Sequence, residues 1–135
     1  MFNHTCITFH SDLLSFELSN NYCQAIGKRL AQSESQEKSL ILKSATAMKT
    51  EFWIGLHSPN SNATGSKDFT WLYQDPRFIS SNYTNWEKFT PVSPVNPYSG
   101  QCITMKSDSM LWNNRACQSL YPFMCQQGKE KITLK

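Results

Sequence analysis

Gln101-Cys102-Ile103, Leu111-Trp112-Asn113-Asn114-Arg115-Ala116-Cys117 and Phe123-Met124-Cys125 are the stretch on which the fold of this chain turns. Three of the five cysteines stand here, at spacings of 15 and 8, with a Trp-Asn-Asn tripeptide between the first two. Cys102–Lys106, Met110–Trp112 and Tyr121–Gln126 read as the closing strands.

Upstream, residues 6–10 (Cys-Ile-Thr-Phe-His) alternate apolar and polar, as a short strand does. Ser15 opens a helical stretch that puts Phe16, Ser19, Cys23 and Ile26 on one face and stops at Gly27. A second helix is expected from about Ser35 to Met48, with Leu40, Ile41, Ala45 and Met48 inward and Ser33 with Gln36 as a capping box. Phe52-Trp53-Ile54-Gly55-Leu56 reads as a fully buried strand. The polar loop Ser58–Lys67 follows, then the alternating segment Phe69–Tyr73. Residues 74–101 carry little regular pattern and four of the six prolines, and so long a connection is usually functional.

The chain has 135 residues, enough for one domain, and 13% of them are aromatic. Residues 1–127 are read as that domain and residues 128–135 as a basic tail or linker. The formal net charge of +3 includes +2 from the tail, so the body is near neutral. Nucleic-acid binding and electrostatic attachment to membranes are not expected. Five cysteines and the sequons Asn3-His4-Thr5, Asn62-Ala63-Thr64 and Asn82-Tyr83-Thr84 favour an extracellular, oxidising compartment. Met1-Phe2-Asn3 opens without an apolar leader, which reads as a domain from a longer secreted or membrane-anchored protein. No nucleophile, base and orienting group stand out together, so an enzyme is not expected.

These elements, taken in order, resemble the C-type lectin-like domain family over residues 6–126. The matching pieces are Cys23-Gln-Ala-Ile-Gly27 with Leu30, Trp53-Ile-Gly-Leu56, Phe69-x-Trp71, Tyr83-x-Asn85-Trp86, and Cys102, Trp112-Asn113, Cys117 and Phe123-x-Cys125. The resemblance implies an α+β fold in which two helices flank small antiparallel sheets, with a long proline-rich loop and two core disulfides. It also implies the pairings Cys23–Cys125 and Cys102–Cys117. Cys6 is left over. Its partner lies upstream of residue 1, or it forms an interchain disulfide and dimerises the protein, or it is a free thiol. His4, Cys6 and His10 would share one strand face with the spacing to ligate zinc, but no fourth ligand is evident.

Sugar-binding members of that family hold calcium through a Glu-Pro-Asn or Gln-Pro-Asp tripeptide in the long loop. The remaining ligands are an acid two residues before the strand cysteine and Asn-Asp after the tryptophan. Here the corresponding positions are Thr90-Pro91-Val92, Gly100 and Asn113-Asn114, so only Asn113 remains. Ser58, Asn62, Ser93 and Gln101 stand at the auxiliary site, where carboxylates would be expected. A hard divalent cation needs six to eight oxygens with carboxylates among them, and residues 89–107 contain no Asp or Glu. No cofactor is expected, calcium included.

In the segment 87–101, Pro91, Pro94 and Pro97 recur every three residues, in step with Phe89, Val92, Val95 and Tyr98. Proline at that interval stiffens a loop and lines up one apolar edge. Glu87, Lys88, Phe89, Val92, Val95, Asn96 and Tyr98 are therefore the candidate ligand-binding residues, with Tyr98 or Phe89 as the anchor; the alternative is that the apolar side chains fold back and cover the core. Trp53, Trp71, Trp86 and Trp112 are expected in the core. Lys28, Arg29, Lys38, Lys43 and Lys49 read as a solvated face, with a polyanion site as the alternative. The expected function is calcium-independent recognition of a protein ligand at the cell surface or in secretions. The alternatives are a non-standard glycan or polyanion lectin and a structural module of a larger receptor.

Overall fold

In a computed structural model, residues 6–58, 69–78, 82–87 and 101–127 are described. Their elements are strand β1 (Ile7–Leu14), helix α1 (Phe16–Ala25), β2 (Lys28–Leu30), α2 (Gln36–Ser44), β3 (Glu51–His57), β4 (Thr70–Trp71), a 3-10 turn at Pro76–Phe78, β5 (Cys102–Lys106), β6 (Trp112–Arg115) and β7 (Tyr121–Gln127). The described strands form one sheet in the order β1-β7-β3-β5-β6, with β2 added to β7 and β4 to β3. Its pairings are antiparallel except for a parallel bridge between Trp53 and Phe123. The sheet is therefore mixed, and β2 is a strand that no periodicity announced.

Period-2 alternation divides β3 between two cores. Phe52, Ile54 and Leu56 join Ile103, Met105, Trp112 and Met124 on one face. Trp53 joins Phe16, Leu30, Phe123 and the disulfide sulfurs on the other. Each such side chain, fully removed from water, contributes roughly 1.5–3 kcal/mol. The Trp53 indole donates to the Leu14 carbonyl at 2.8 Å, so burial leaves no orphaned N–H. Gly55 packs closely on Gln32, and a Cβ there would meet the Gln32 side chain at 3.2 Å, tighter than ordinary contact. Cys23–Cys125 ties α1 to β7, and Cys102–Cys117 spans 15 residues around β6. Cys6 is unpaired and exposed, and its carbonyl accepts from Gln127 N at 3.1 Å.

The N-terminus of α1 follows its cap: Ser15 Oγ accepts from Leu18 N at 3.3 Å, and Gly27, at φ 79°, reverses the chain after the last turn. Phe16, Ser19 and Cys23 are buried, but Ile26 is 45% exposed. The helix ends at Ala25, and Ile26 at φ −102°, ψ 18° has left the helical repeat that would have carried it inward.

Helix α2 departs further from expectation. It is capped by Ser35, whose Oγ accepts from Lys38 N at 3.1 Å, while the Ser33 hydroxyl bonds to that of Ser39. Lys38, Ser39 and Leu42 face inward, whereas Leu40 and Met48 are 49% and 56% exposed. The helix stops at Ser44, so Ala45 and Met48 fall outside its repeat. Its inner face therefore joins the polar partners of Lys38 and Ser39 to the buried Leu42, and Ala45 packs on the same core just past the helix end.

His57 stacks on Phe16 with centroids 5.6 Å apart, and burial pushes its pKa below the ordinary 6.5. Burial lowers His10 as well, assisted by Lys28 and opposed by Asp12. A folded-state value below the unfolded one costs stability as pH falls, because the unfolded chain takes up protons that the native state refuses. The urea midpoint is therefore expected to hold above about pH 6.5 and to drop from there towards pH 5.5. Joint replacement of His10 and His57 by glutamine should flatten that drop, as followed by tryptophan fluorescence.

Candidate functional site

Trp112 organises the edge of the sheet. Its ring, 1% exposed, takes edge-on contacts from Trp86 at 5.2 Å, Trp71 at 5.5 Å and Tyr83 at 5.8 Å, and Phe69 packs on Trp86 at 5.6 Å. Such geometry sets the positive ring edge against the negative face. The backbone follows the same path. Trp112 N donates to Asn85 O at 2.8 Å, Glu87 N to Trp112 O at 2.9 Å, and Asn85 Nδ2 to Met110 O at 2.6 Å. Segment 82–87 is thereby fastened to β6, and the long connection to Gln101 departs from a rigid base. Trp53 and Trp112 are core residues, whereas Trp71 and Trp86 are half-buried.

Beside this aromatic edge runs a polar row across β3, β5 and β6. Glu87 lies 3.0 Å from Lys106 Nζ and accepts a hydrogen bond from the Asn113 side-chain amide. Asn113 first, then Lys106, hold the Glu87 carboxyl below its ordinary pKa. Glu51 Oε2 accepts from Arg115 Nε at 2.6 Å and from the Thr104 hydroxyl. The hydrogen bond to Glu51 raises the Arg115 pKa, and burial raises that of Tyr121. Acids and bases thus alternate along the row. A shallow depression lined by Lys49, Thr50, Glu51, Lys106 and Asp108 opens at its end.

Of the candidate ligand-binding residues, Glu87 lies in this row, while Lys88, Phe89, Val92, Val95, Asn96 and Tyr98 fall outside the described residues. So do Thr90, Pro91, Val92, Ser93, Gly100 and Asn62 among the positions compared with calcium ligands, and His4 of the zinc reading. Asn113 and Asn114 are 5% and 8% exposed. Ser58 N donates to the Gln101 carbonyl at 2.8 Å, which brings those two positions together. Among the described residues no three His, Cys, Asp or Glu side chains gather as a metal site.

The basic residues around the helices differ in their surroundings: Lys28 reaches Thr8 Oγ1 at 3.4 Å, and Lys43 donates to the Asp108 carbonyl at 2.9 Å. Lys38 is buried, Arg29 lies 4.0 Å over the Tyr73 ring, and Lys49 pairs with Asp108 at 3.5 Å. Sequence reading missed Lys106, Arg115 and Glu51 as neighbours of the site. The available signal was the alternation Cys102-x-Thr104-x-Lys106 and Asn113-x-Arg115, which puts these polar side chains on one face.

The fold and this site define a disulfide-stapled α+β domain that launches a long connection from an aromatic sheet edge. Residues 12–127 match the Lectin C-type domain, and the chain belongs to that family. Its members are generally binding domains rather than enzymes. The chain is 28% identical over 130 residues to snaclec rhodocetin subunit delta of Calloselasma rhodostoma, covering 93% of this chain and 92% of that protein. It is also 28% identical over 124 residues to lymphocyte antigen 75 of Mus musculus, but that match covers 91% of this chain and 7% of the relative. The herring type II antifreeze protein shares the fold with a TM-score of 0.73 at 23% identity, over 96% of this chain and 95% of that one.

Proposed function

We propose that this C-type lectin-like domain is an extracellular recognition module that binds a protein ligand without calcium, through residues 87–101 and the adjoining strands β5 and β6. The observation that carries the reading is the commitment of Asn113 and Glu87 to each other, with the Lys106 ammonium 3.0 Å from the same carboxylate. A divalent ion approaching Asn113 would have to displace that cation, and it would find no second carboxylate in residues 89–107. The stiffened proline repeat at 91, 94 and 97 supports a protein ligand, because a preorganised apolar edge loses less entropy on docking. Extracellular placement is supported by the two disulfides and by a receptor relative, asialoglycoprotein receptor 2 of Rattus norvegicus.

Calorimetric titration with calcium is expected to give no binding heat, and the melting temperature should be the same in calcium and in chelator. A glycan array probed in both conditions completes the test. Chelator-sensitive glycan binding would overturn the reading. Chelator-insensitive binding to sulfated or sialylated glycans would move the function to the basic side chains Lys49 and Lys106 beside the depression.

A further inference from the structure

The sequon Asn82-Tyr83-Thr84 lies outside the proposed recognition segment 87–101, and its conformation is specific. Tyr83 turns inward, with its ring 5.8 Å from that of Trp112 and its hydroxyl 3.1 Å from Ser39 Oγ. Asn82 and Thr84 on either side of it are exposed. Residues 82–85 form neither helix nor strand, and Asn85 and Glu87 pin the end of the segment to β6. With the middle residue anchored in the aromatic edge, its two neighbours both face solvent. The Asn82 amide makes no hydrogen bond to another described residue.

We propose that Asn82 carries an N-linked oligosaccharide. A sequon alone is a weak signal. The anchored Tyr83 adds what the motif lacks, a folded surface that accommodates the sugar without moving a core residue. In the transfer, the Asn82 amide nitrogen bonds to the anomeric carbon of a lipid-pyrophosphate-linked oligosaccharide. The bond from that carbon to phosphate oxygen breaks, the lipid pyrophosphate leaves with the electron pair, and the amide nitrogen releases one proton. No oxidation or reduction is involved.

The attachment point also bears on the neighbouring surface. Asn82 and Glu87 are five positions apart in the chain, a reach of at most about 18 Å when extended. The oligosaccharide therefore stands beside the base of the 87–101 connection and limits the directions from which a macromolecule can approach it. Even so, the modification does not depend on what that connection binds.

Secretion from a mammalian cell line behind a leader peptide, followed by tryptic mapping, tests the assignment. Cleavage after Arg77 and Lys88 isolates Phe78–Lys88, which contains this sequon and neither of the others. That peptide is expected to carry hexose and N-acetylhexosamine mass, and enzymatic release by peptide N-glycosidase should leave aspartate at position 82. Asn82→Gln and Thr84→Ala should each remove one step of gel mobility, whereas Thr84→Ser retains it. Unmodified Phe78–Lys88 recovered as the dominant form from the secreted protein would overturn the proposal, whatever Asn3 and Asn62 carry.

Discussion

Replacing Lys38 by methionine is expected to destabilise the domain by about 3–5 kcal/mol, the usual cost of removing one partner of a buried ion pair. Lys38 is 1% exposed and Glu34 3%, with Nζ 3.2 Å from Glu34 Oε1. The same ammonium donates to Gln126 Oε1 at 2.9 Å, and that oxygen also accepts from Gln32 N at 2.9 Å. Gln32 extends the network, donating to Glu34 Oε2 at 2.6 Å and to Tyr73 O at 2.9 Å and accepting from Tyr73 N at 2.8 Å. Burial pushes the Lys38 pKa down, and the charge of Glu34 opposes that shift. Methionine matches the length of the stem but removes the ammonium that lies 3.2 Å from the Glu34 carboxylate. Adding Glu34→Gln to Lys38→Met should recover most of the loss, because the amide oxygen can still accept from Gln32. Urea unfolding of the two variants separates the contributions. A Lys38→Met cost under about 1 kcal/mol would mean that the pair is not a buried ionic one.

The second large effect is expected from the longer disulfide. Cys23–Cys125 closes 102 residues, and chain-entropy reasoning assigns such a loop about 4–5 kcal/mol, against about 3 for the 15-residue loop of Cys102–Cys117. Both sulfurs of the longer bridge lie in the core with Phe16, Leu30, Trp53 and Phe123. The pair Cys23→Ala and Cys125→Ala should therefore lower stability more than the pair Cys102→Ala and Cys117→Ala, as read by unfolding at equal protein concentration. Equal losses would show that residual order in the unfolded chain, rather than loop length, governs both.

Much of the scaffold was legible because its signals are local. Ser15 caps α1 and Gly27 ends it, and the apolar run in β3 is long enough to require burial on both faces. Helix α2 was only half legible: its start lies within a residue of the reading, but Leu40 and Met48 are exposed and the inward face is shared between Leu42 and the polar Lys38 and Ser39. Leu40 is exposed and Lys38 is buried, where the lysine meets Glu34 four residues before it and Gln126 88 residues after it. Strand β2 has three residues, too few for a period, and exists because the C-terminal end of β7 pairs with it from Cys125 to Gln127. At the site, Glu87 could be named from sequence. Its partners could not, since Lys106 is 19 residues away and Asn113 is 26.

By itself, the sequence determined the scaffold. Cysteine spacing, Trp112 and the β3 run specify the frame. The tertiary structure alone decided how the remaining polar groups are used: Asn113 bonded to Glu87, Lys106 beside them, and Lys38 inside. Caps, breakers and periodicity depend on neighbours a few bonds away. The partner of a polar side chain depends on which distant acceptor the sheet register brings within 3 Å, and no local pattern encodes that.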